Sequence, residues 1–187
     1  CDFAYQGLGD GVEEDANGVR NLIKELDNLI VCSSYSKNFG LYSERVGCLI
    51  YHTKNLDNYS AVQSNFKKVA RTIYSNPPSH GSDIVKTILS DEFLRKLWTE
   101  NLDEAKNRII DMRKSLISNL INENCSRNFD FIADQKGMFS FTGLTENEVA
   151  QLKEKFSIYI VKSGRINVAG ITSGNVKYIA KAITRII

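Results

Sequence analysis

The chain has 187 residues, 42% of them hydrophobic and 25% charged, a composition that suits one globular domain with a sizeable core or two smaller ones. Its 24 basic and 22 acidic side chains leave a formal charge of +2 with no basic block, so the electrostatic case for a nucleic-acid partner is missing. Four cysteines without a C-x-x-C pair and two histidines, His52 and His80, argue against a zinc site or a disulfide framework, and read as reduced, buried thiols of an intracellular protein.

No apolar run approaches the roughly 20 residues that span a bilayer, and no signal peptide opens the sequence, so no membrane partner is expected. The opening CDFAYQGLGDG lacks a methionine and runs directly into a strand-like segment, as in a piece cut from a longer protein. Residues 1 to 6 read as a short strand before a Gly-Asp-Gly turn. Val19, Leu22, Ile23 and Leu26 take helical spacing over residues 15 to 27. LIVCSS and RVGCLIYHT then read as strands on either side of SSYSKNFG, and this β, α, β, loop, β order points to an α/β layer architecture.

Residues 55 to 74 carry Val62, Phe66, Val69 and Ile73 on one stripe and predict a helix, which SNPPSHG ends with the chain's only prolines, Pro77 and Pro78. From Ser90 to about Asn122, Leu94, Leu97, Leu102, Ala105, Ile109, Met112, Leu116 and Leu120 recur as in one long amphipathic helix, of the kind that joins two lobes. Residues 129 to 141 and 157 to 168 alternate like strands. TENE at 145 to 148 is a capping box opening a helix with Val149, Leu152 and Phe156, and Val176, Ile179, Ile183 and Ile187 share a face of the last helix. The second lobe therefore reads as a small α+β unit.

Lys37 stands among hydroxyls in SSYSKNFG, after the apolar LDNLIV. A lysine amine is a nucleophile only when unprotonated, and burial or a neighbouring cation such as Arg45 would favour that form. A solvated loop lysine between turn-forming serines is the other reading of the same residues. Likewise Arg45 reads as an ion pair with Glu44, Arg71 as a polar-face helix residue, Asp2 as a turn former, and Tyr5 and Phe139 as packing aromatics. GLGDG at 7 to 11 fails the dinucleotide fingerprint, because Val12 stands where a glycine is needed.

Five segments, DFAYQGLGDG, SSYSKNFGLYSERVG, YSNPPSHG, GMFSFTGLT and SGRINVAG, occur in the order and at nearly the spacing of the aspartate aminotransferases, which this sequence resembles from Asp2 to its end. The resemblance implies the later part of a fold-type I transferase: the end of the large α/β cofactor domain over residues 1–100, then a long linking helix and small α+β domain over 101–187. It implies pyridoxal 5′-phosphate as cofactor and no metal. Lys37 would form the Schiff base and shuttle the substrate proton, Asp2 would keep the pyridine nitrogen protonated, Tyr5 would hydrogen-bond the cofactor O3′, and Ser34 and Arg45 would hold the phosphate. Arg165 would grip the substrate α-carboxylate. Arg71, by its spacing to Asn76, Pro77 and Pro78, would bind the distal carboxylate from the neighbouring subunit of a homodimer. Phe139 resembles a pocket wall.

The reaction so implied is ping-pong transfer of the amino group from L-aspartate to 2-oxoglutarate, with amino acids and 2-oxo acids as partners. An aromatic-amino-acid aminotransferase of the same subgroup and a noncatalytic fragment are the alternatives. The family's phosphate-cradling turn, ring-stacking aromatic and O3′ asparagine would all precede Asp2, as would any targeting segment; the cytoplasm is the expected location, with the mitochondrion open. Ser43 and Cys32 depart from the usual asparagine and small residue of the family.

Overall fold

The computed structural model describes residues 1–187, which divide into two compact units: 1–7 with 11–102, and 8–10 with 103–187. The first unit is built on a three-stranded sheet of β1 (Asp2–Phe3), β2 (Asn28–Ser34) and β3 (Gly47–Thr53), with β1 and β2 parallel and β2 and β3 antiparallel. In β2 the β-branched and aliphatic residues alternate, so Leu29 and Val31 are buried while Ile30 and Cys32 face outward. Two short helices, α1 (Val12–Asp15) and α2 (Asn17–Glu25), connect β1 to β2, and α2 lies against β2. No residue of β3 is buried, and none of α3 (Tyr59–Tyr74) either.

A helix that the sequence reading passed over, α4 (His80–Ser90), follows the Pro-Pro turn and buries Gly81 and Val85. The prolines end α3 without forbidding a new helix, because they lie before its first turn, where a missing N–H is harmless. The long helix α5 (Glu92–Asn122) contributes its first turns to the first unit and the rest to the second. Its buried face runs through Leu102, Ile109, Arg113, Leu116, Ile117 and Leu120, whereas Leu97 and Ala105, placed on the apolar stripe by their spacing, are exposed.

In the second unit the remainder of α5 joins α6 (Glu146–Phe156), α7 (Val176–Ile186) and an antiparallel pair, β4 (Phe139–Phe141) with β5 (Arg165–Asn167), between which α6 lies in sequence. The strands expected over 129–141 and 157–168 shrink to these three-residue segments. The Asn128 side chain accepts from the Asp130 N–H at 2.6 Å and bends the chain into a single 3₁₀ turn, Asp130–Ile132. Residues 158–161 keep their alternation of exposure without forming a strand. Gly164 then turns at φ 75, where a side chain would press on the Leu144 carbonyl. The expected capping box is present: Thr145 accepts from the Glu148 N–H and the Glu148 carboxylate accepts from the Thr145 N–H.

The thiols are free but not buried. Cys1, Cys32 and Cys48 are exposed and Cys125 is half-buried, because Cys32 lies on the outward face of β2 and Cys48 on the open strand β3. No helix is long and apolar enough to cross a membrane.

Candidate active site

Lys37 sits in a tight turn directly after β2. The Phe39 N–H donates to the Tyr35 carbonyl at 3.3 Å and the Gly40 N–H to the Lys37 carbonyl at 3.1 Å, while the Ser36 N–H donates to Ser34 Oγ at 3.2 Å. Ser34 is thus a turn residue in part, its hydroxyl offering the backbone a local partner. The half-buried Lys37 reaches across to β1's continuation, where its Nζ lies 4.8 Å from the centre of the Tyr5 ring. Asp2 pairs with Cys32 in the parallel ladder and is exposed. Asp2, Tyr5, Ser34 and Lys37 therefore share one strand pair and the turn that leaves it.

Behind the turn, Tyr35 packs edge-on to Phe39 with centroids 5.5 Å apart, and Phe39 stacks on Trp98 at 4.7 Å. Burial, and then the Cys48 thiol, push the Tyr35 phenol up from its ordinary value.

Arg45 holds a left-handed backbone conformation, φ 53, uncommon for a residue with a side chain, and its Nη1 donates to the Tyr42 carbonyl at 3.0 Å. The ion pair with Glu44 is absent; that carboxylate instead meets His80 Nδ1 at 2.8 Å. Arg45 lines a cavity of about 560 Å³ with Tyr74, Pro77, Pro78, Ser79 and Ser82. Arg71 is exposed in the last turn of α3 and is not among the residues lining that cavity.

Arg165, in the second unit, is exposed on β5 with its guanidinium 4.7 Å over the Phe139 ring. Phe139 is held by its neighbours: Arg113, which is buried, donates from Nε to Ser140 Oγ at 3.1 Å and from Nη2 to the Gly137 carbonyl at 2.6 Å. Burial lowers the Arg113 pKa from its ordinary value.

Compared with known proteins, residues 1–183 match the family described as aminotransferase class I and II. The chain belongs to that family. Among aminotransferases it is 46% identical over 186 residues to an aspartate aminotransferase of Haemophilus influenzae, a match that takes in all of this chain and 47% of the relative. The chain thus spans about half the length of the curated relatives it matches. Its fold is similar to that of an aromatic-amino-acid aminotransferase from Burkholderia pseudomallei covalently bound to pyridoxal phosphate, with a TM-score of 0.94 and 44% identity over 99% of this chain and 46% of the other. A mitochondrial aspartate aminotransferase from Trypanosoma brucei gives 0.95 and 37% over 99% and 49%. The architecture is therefore the α/β fold of fold-type I transferases.

Three residues tied to the Lys37 turn escaped the sequence reading: Gln6, Asn38 and Trp98. Asn38 lies in a polar turn with no apolar pattern, whereas Trp98, the sole tryptophan of the chain, falls at helical spacing between Leu94 and Leu102, and that spacing was the available signal. Arg113 escaped for the opposite reason, a charged residue inside a helical stripe.

Proposed function

We propose that the protein bearing this chain is a pyridoxal 5′-phosphate-dependent aminotransferase that moves the amino group of L-aspartate to 2-oxoglutarate, giving oxaloacetate and L-glutamate. The observation that carries this reading is the Lys37 amine set 4.8 Å from the Tyr5 ring, on the same strand pair as Asp2 and Ser34, in a chain 46% identical to an aspartate aminotransferase.

The donor set fits the cofactor: an amine for its aldehyde, a carboxylate for its ring nitrogen, a phenol for its O3′, and the Ser34 hydroxyl and Arg45 guanidinium for its phosphate. When bound, the cofactor supplies a carbonyl for amine exchange and a cationic ring that accepts electrons. Lys37 Nζ is the attachment point and, once displaced, takes the proton from the substrate α-carbon. Asp2 keeps a proton on the ring nitrogen. Arg165 binds the α-carboxylate, its guanidinium oriented by the Phe139 face beneath it. Arg71 binds the distal carboxylate from a second copy of the chain. On this reading residues 1–100 belong to the large cofactor domain, 101–187 form the linking helix and small domain, and the protein works in the cytoplasm as a homodimer.

The likeness to the Burkholderia aromatic-amino-acid enzyme favours a second reading, aromatic substrates. One substitution separates the two. Arg71→Ala lowers kcat/KM for aspartate about 100-fold and for phenylalanine about threefold or less if the diacid reading holds, since only aspartate loses a charge-assisted pair. Equal losses for both substrates refute that role of Arg71.

A further inference from the structure

Asn38 follows Lys37 directly and is only 7% exposed, although it belongs to a polar turn. Its two amide groups link to different parts of the first unit. Side-chain Nδ2 donates to the Gln6 carbonyl at 3.2 Å, and its main-chain carbonyl accepts from Trp98 Nε1 at 2.8 Å. Gln6 is the next residue after Tyr5 and is itself tied down, its Nε2 donating to the Val12 carbonyl at 2.9 Å. Trp98 belongs to α5 and stacks on Phe39 with an interplanar angle of 18°. The turn is thus fastened to the Tyr5 segment on one side and to a helix on the other.

Asn38 Oδ1 is buried with no hydrogen-bond partner in the protein. An unmet buried acceptor is costly, and an apolar side chain of similar size would avoid that cost. The amide at this position is therefore explained by what Nδ2 does. Lysine has four rotatable side-chain bonds, and a reactive amine loses rate when its turn drifts by even an ångström.

We propose that Asn38 and Trp98 are positioning residues for Lys37. Together they clamp the lysine turn against the Tyr5 segment so that the amine stays over the Tyr5 ring before any cofactor arrives. The proposal rests on the reading of Lys37 as the reactive amine, but the clamp is a property of the cofactor-free protein and is measured there.

The test is competitive acylation of amines with acetic anhydride in the cofactor-free protein, read lysine by lysine by mass spectrometry. Two variants are compared with wild type. Asn38→Ala removes the Gln6 link; Trp98→Phe keeps a ring against Phe39 and removes only the N–H donor, and it carries the test if Asn38→Ala fails to fold. The expected result is that Lys37 is acylated more slowly than the exposed Lys67 and Lys68 in wild type and about threefold faster in the variants, as the ammonium leaves the ring face. Lys67 and Lys68 stay unchanged, which a general loosening of the fold would not allow. Unaltered Lys37 acylation in a folded variant overturns the clamp. Borohydride reduction after adding pyridoxal 5′-phosphate separates this from the functional reading. No label on Lys37 in wild type, with acylation still accelerated in the variants, overturns the functional reading and supports the clamp.

Discussion

The first unit buries few apolar side chains, Ala16, Leu29, Val31, Val85 and Leu102, while every other buried aliphatic or aromatic residue of the chain belongs to the second unit. The second unit packs α5, α6, α7 and the β4–β5 pair around Leu116, Leu120, Ile132, Leu152 and Val168, all nearly inaccessible. In the first, Leu49 and Ile50 of β3 are about half exposed, at 51% and 49%. The Lys37 turn lies in that thinly packed unit, fastened by the Asn38 and Trp98 hydrogen bonds. Its order comes from hydrogen bonds and stacked rings, which fix direction, whereas the second unit's order comes from close packing, which fixes shape.

The largest expected effect breaks function and spares structure. On the proposed reading, Lys37→Ala lowers amino-transfer turnover about 1,000-fold or more, because covalent attachment and proton transfer would both lose their amine. The half-exposed side chain contributes little to folding, so the change in stability stays within about 0.5 kcal/mol. A variant with wild-type turnover sinks the assignment.

Stability variants sharpen the same contrast. Leu116→Ala, in the second unit's core, costs about 2–5 kcal/mol by chemical denaturation, while Ile50→Ala costs well under half of that because half its surface is already in water. Equal losses would show that β3 is covered in solution. Hydrogen exchange adds the spatial view: amides of α5 beyond Leu102 and of α6 and α7 are protected longer than those of β3 and α3.

A smaller effect tests the second unit's polar fastening. Arg127 donates to both oxygens of Glu148, at 2.6 and 3.3 Å, in the same cluster as the α6 capping box. The hydrogen bond from Arg127 and those from Thr145 outweigh burial and hold the Glu148 carboxyl below the usual range. The unfolded chain therefore binds this proton more tightly than the folded one. Stabilisation is complete above the ordinary glutamate pKa of about 4.3 and is lost as pH falls through the lowered folded value. Glu148→Gln flattens that acid limb of the stability curve, and an unchanged limb contradicts the assignment. Thr145→Ala costs about 1 kcal/mol through the lost cap.

Helical spacing made α3, α5 and α7 legible, a capping box with the apolar residues behind it made α6 legible, and short apolar runs made β2 and β3 legible as strands. Pattern failed where local side-chain chemistry outweighs it, as at Asn128, whose carbonyl bends the chain out of the expected strand. It also failed at α4, because a Pro-Pro pair marks the end of one helix without excluding the next. The thiols were misread as buried because cysteine's usual apolar setting says nothing of which face of a strand is covered. Lys37, Arg45 and Arg165 were singled out by motif resemblance, whereas the hydrogen bonds of Asn38 and Trp98 span 32 and 60 residues, separations that no local spacing encodes.

The most direct test of the central claim is borohydride reduction of the purified protein after incubation with pyridoxal 5′-phosphate, followed by peptide mapping, with and without aspartate added before reduction. The account predicts a pyridoxyl label concentrated on the peptide bearing Lys37 and largely abolished by prior aspartate. A label spread over surface lysines such as Lys67 and Lys68, or indifferent to aspartate, would contradict it.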